Sequence, residues 1–138
     1  MSRFTLAAML GAALSAAACS NPSTLPTTPT TPAPIITDTF TGTLTRNGAT
    51  TFPFSVATTG AVTATLTAVS DSSVVVGMSL GVWTGAASTC SALLSNDQAA
   101  QGTTIVGTAS GIGTLCLRVY DIGRVVDPID YSVTVQHP

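Results

Sequence analysis

Val62-Thr63-Ala64-Thr65-Leu66-Thr67-Ala68 alternates without a break between apolar residues and threonine. A period of two sends successive side chains to opposite faces of a strand, so the segment has one face for a core and one for water. The β-branched threonines also favour extended backbone. The pattern recurs on both sides. Upstream, Phe40, Gly42 and Leu44 alternate with Thr, and Phe52, Phe54 and Val56 follow. Downstream come Val76, Met78, Leu80 and Val82, a shorter run about Ile105, then Leu115, Leu117 and Val119, and last Tyr131, Val133 and Val135. No segment shows helical spacing.

Turn signals separate these runs at Asn47-Gly48, Thr59-Gly60, Ser70-Asp71-Ser72, Gly111-Ile112-Gly113 and Asp127-Pro128. Each supplies a residue that tolerates positive φ or one whose φ is fixed. Asn47-Gly48 between two alternating runs predicts a β-hairpin. The longest interval without a clear run, Gly85 to Gly102, is expected to hold a Greek-key crossover or a binding loop. Seven or eight short strands without crossover helices predict an all-β fold over residues 35–138. The expected form is an antiparallel β-sandwich of jelly-roll or Greek-key type.

The N-terminal third has another character. Residues 1–18 hold Arg3, an apolar run from Leu6 to Ala18 and small residues at the end, the three parts of an export signal. The run is shorter than the ~20 residues that span a bilayer, so a cleaved leader is expected. Ala16-Ala17-Ala18 satisfies ordinary signal peptidase, while Ala18-Cys19 resembles the end of a lipobox, with Ala16 where that pattern usually has Leu. Cysteine parity favours the lipobox. Of three cysteines, Cys90 and Cys116 form an even pair inside the domain, expected to be a disulfide in an oxidising compartment, and Cys19 is left to carry lipid. Residues 19–34, with five prolines among threonines, then form a linker inclined to polyproline II. Localisation follows: an exported, lipid-anchored envelope protein, with a free secreted form as the alternative.

Charge excludes one class of partner. Beyond residue 18 stand only Arg46, Arg118 and Arg124 against Asp38, Asp71, Asp97, Asp121, Asp127 and Asp130, with no Lys or Glu anywhere. Three scattered arginines cannot make a basic face, so nucleic acid is no partner. Charged residues are 7% of the chain, far below the usual quarter, which suits wall-associated or self-associating proteins.

Asp38-Thr39-Phe40-Thr41-Gly42, Phe52-Pro53-Phe54-Ser55-Val56, Leu117-Arg118-Val119-Tyr120 and Tyr131-Ser132-Val133-Thr134-Val135 together resemble the bacterial pre-peptidase C-terminal domains and related jelly-roll modules. The resemblance implies a non-catalytic module of an exported protein; some such modules bind calcium or polysaccharide. The chain also looks like small lipoproteins in which such a sandwich stands alone.

The residues hold no constellation for catalysis. The single histidine, His137, is expected in a frayed tail, and no nucleophile elbow, zinc-protease helix or phosphate-binding glycine loop is present. No cofactor is expected. Asp121, Asp127 and Asp130 around one loop, with Asn96 and Asp97 in another, have oxygen ligands of the kind calcium takes, although Asp before Gly or Pro is also ordinary turn chemistry. Trp83 at a strand end is either a sugar-stacking residue or rim packing. Arg118 is expected to pair across strands with Asp130. The partners that fit are a membrane through Cys19, and polysaccharide or an envelope protein through the domain.

Overall fold

A computed structural model describes residues 31–138, and Pro32–Pro138 form one unit. The leader, Cys19 and most of the linker lie outside the described residues. Eight strands run in order: β1 (Ile36–Leu44), β2 (Ala49–Val56), β3 (Gly60–Val69), β4 (Val76–Thr84), β5 (Thr89–Ala99), β6 (Thr104–Ala109), β7 (Gly113–Tyr120) and β8 (Ile129–His137). They form two four-stranded sheets, ordered β1-β8-β3-β6 and β2-β7-β4-β5, with every pairing antiparallel.

The order has a simple origin. β1 pairs with β8, β2 with β7, β3 with β6 and β4 with β5, so the chain is one long hairpin closed at the β4–β5 turn and then rolled up. Rolling adds the β3–β8 and β4–β7 pairings and gives an eight-stranded jelly roll. Inward residues of both sheets, among them Val62, Ala64, Leu66, Met78, Leu117, Val119, Val133 and Val135, make one core. One flank is sealed by aromatics, with Phe40 stacked on Phe52 at 4.9 Å and Phe54 lying 5.1 Å from the His137 ring. Pro53 sits on edge strand β2, where a missing N–H breaks no ladder.

Several expectations need correction. Asn47 does adopt positive φ (55°), but the turn it makes joins β1 in one sheet to β2 in the other, so it is an arch and not a hairpin. The interval from Gly85 to Gly102 is no crossover loop: it holds β5 and the in-sheet β4–β5 turn. His137 is not frayed. β8 runs far enough to pair His137 with Ile36, and the imidazole is buried with Nε2 3.1 Å from Asp38 Oδ2.

Candidate functional site

Two glycines on β4 govern the outer face of the second sheet. Gly81 and Gly77 lie on that face beside Cys116 and Tyr120 of β7. A Cβ on Gly81 would overlap the Ser91 carbonyl oxygen, and one on Gly77 would overlap the Tyr120 ring. With these positions bare, β5 bends close over β4, and two links cross the strand between. Cys116 bonds to Cys90 of β5, with Cα atoms 5.9 Å apart, as the sequence predicts. The Tyr120 hydroxyl donates to Asp97 Oδ1, and burial, followed by that bond, raises the Tyr120 pKa above its usual value. Arg118 does not reach Asp130, which lies on β8 in the other sheet; its guanidinium lies 5.0 Å from the Tyr120 ring centroid. Asp130 instead accepts from the Thr43 hydroxyl at 2.6 Å.

A groove with a volume of about 620 Å³ lies at one end of the sandwich, beside the β6–β7 turn. Val82 and the half-buried Trp83 come from β4, Leu93 from β5, and Ile112 from the β6–β7 turn, with the hydroxyl-bearing Thr108 and Thr114 beside them. Leu93 and Ile112 are 71% and 87% exposed, so the groove carries apolar surface that the core does not need. Its lining contains no charged side chain. Register shifts in β5 let Leu93 and Leu94 both escape full burial, where an unbroken strand would turn one inward and one outward. That irregularity hid the site in the sequence. Trp83 could be found by residue type, whereas Leu93 and Ile112 gave no signal.

The acidic residues are differently employed. Asp121 Oδ1 accepts from the N–H groups of Gly123, Arg124 and Val125 at 2.8–3.0 Å, and Oδ2 from that of Asn47 at 2.8 Å. Its oxygens hold the β7–β8 loop to the β1–β2 arch. Asp127 is exposed, Asp97 takes the Tyr120 hydroxyl, and Asn96 Oδ1 takes the Gln98 N–H. Among the described residues no three His, Cys, Asp or Glu side chains come together as a metal site.

No family model and no curated protein sequence matches the chain.

Proposed function

We propose that the chain is a non-catalytic, exported lipoprotein in which a disulfide-stapled jelly roll is held at a membrane by lipid on Cys19 and acts as a binding or structural module. The observation that carries this is the bond between Cys90 and Cys116, which leaves Cys19, directly after an export-type leader, as the one cysteine outside it. Two or more acyl chains on Cys19 give stable anchoring. The pre-peptidase C-terminal resemblance supports the same role, since those domains are mostly non-catalytic.

A second reading is favoured by the groove. Trp83 beside hydroxyls and uncharged apolar side chains offers a stacking face for a neutral polysaccharide.

The anchor is tested by Cys19→Ser. The variant is expected to leave the membrane fraction and appear in the soluble exported fraction, while the parent protein stays with membranes. An unchanged distribution between the two fractions would contradict lipid anchoring.

A further inference from the structure

The strand register gathers most of the domain's charged side chains at one end of the sandwich. Arg46, Asp71, Asp121, Arg124 and Asp127 lie in the turns that join β1 to β2, β3 to β4 and β7 to β8, all at one end. Asp97, Arg118 and Asp130 lie on strands close to that end. The turns at the opposite end, residues 57–59, 85–88 and 110–112, contain no charged residue. Among the described residues, Asp38 is the charged side chain nearest to it, hydrogen-bonded to His137.

This uncharged end is also the apolar one. It carries the groove with Val82, Trp83, Leu93 and Ile112, and Ile35 and Ile36 are exposed at the start of β1. The chain enters the domain here: Ile36 pairs with His137, while Pro138 accepts the Ala57 N–H in the β2–β3 turn. The linker from Cys19 therefore joins the domain at its uncharged, apolar end.

Resting on the lipid-anchor proposal, we infer that this end is a bilayer-contacting surface, with Ile112, Leu93 and Trp83 seated at headgroup depth. The tether fixes which end is nearest the anchor. Tryptophan is at home at membrane–water interfaces, where an apolar ring meets a polar surrounding. The hydroxyl-rich turns can stay hydrated among headgroups, so side chains enter while the irregular backbone remains outside the hydrocarbon. Net negative charge sits at the far end, where repulsion from an anionic leaflet is screened by distance. With no charged side chain in its turns, the contact is expected to depend little on salt.

Trp83 is the only tryptophan in the chain, which makes it a clean reporter. The mature chain from Cys19 is coupled through the Cys19 thiol to a maleimide phospholipid in phosphatidylcholine vesicles, the other two cysteines being disulfide-bonded. Chemical coupling separates this contact from natural acylation, which the Cys19→Ser fractionation tests on its own. On the vesicles, Trp83 emission is expected to shift to shorter wavelength and to be quenched by bromine-labelled acyl chains, at low and high salt alike. Ile112→Asp, on an exposed turn, is expected to remove the quenching without changing the circular dichroism. Val126→Asp, at the charged end, is expected to leave it intact. Trp83 emission that lipid-borne bromine does not touch would overturn the inference. So would protection of Trp83 by soluble polysaccharide without lipid quenching, which assigns the groove to a glycan. Concentration-dependent burial of Trp83 without vesicles would also overturn it, assigning the surface to a second copy.

Discussion

The carboxylate of Asp121 holds four backbone N–H groups from two separate loops, a load that ordinary turn chemistry does not require. Burial works to raise its pKa, but the N–H groups of Asn47, Val125, Arg124 and Gly123 outweigh that, and the carboxyl is held below its usual range. A folded pKa lower than the unfolded one stabilises the fold above the unfolded value, near 4, and the gain is lost as pH falls through the folded value. Asp121→Ala is therefore expected to cost about 2 kcal/mol at neutral pH, in line with hydrogen bonds to a charged acceptor. The gap from the parent protein is expected to narrow toward pH 3. Urea midpoints at the two pH values check this, and a gap of constant size would contradict it. The sequence marked Asp121 as a loop acid and a candidate calcium ligand, not as a clamp on two loops. Its bond to Asn47, 74 residues away, depends on the rolled topology and leaves no local trace.

Among the strands, regular alternation was legible and irregularity was not. β8, with Tyr131, Val133 and Val135 facing inward, follows throughout the period of two that its sequence predicts, whereas β3 follows it through Val62, Ala64 and Leu66 until a register shift leaves Ala68 exposed and buries Val69 in its place. β5 reads as a loop because register shifts break its alternation, and because Gly85-Ala86-Ala87-Ser88 lacks the Asn-Gly or Asp-Gly signal of a tight hairpin. Asn47-Gly48 has that signal and spans two sheets instead, since a residue that accepts positive φ serves an arch as well as a hairpin. The disulfide partners were legible by parity. Their path over β4 was not, because it depends on what a Cβ at Gly81 would strike. Gly81→Ala is thus expected to cost about 1–3 kcal/mol, the usual range for overpacking. It should also increase the free thiol detectable in the domain. Loss of the disulfide itself is worth about 3.5 kcal/mol for a loop of this length in the chain-entropy model. A Gly81→Ala protein with parental stability and no free thiol would show that β5 does not need the bare position.

At the scale of the whole molecule, leader, linker and sandwich make one coherent object when Cys19 is lipidated. The disulfide fits an oxidising compartment, the low charge fits an envelope setting, and the apolar end of the domain is the end from which the linker leaves. The proposal of export and anchoring rests on residues 1–19 as sequence alone, whereas the segregation of charge emerges only when the register assigns each turn to an end. The most direct test is the intact mass of the mature protein taken from its native membrane fraction, with and without reductant. A chain that begins at Cys19, carries acyl groups and gains two hydrogens on reduction is the predicted result. An unacylated chain released into the medium would contradict the anchor and leave a free secreted jelly roll.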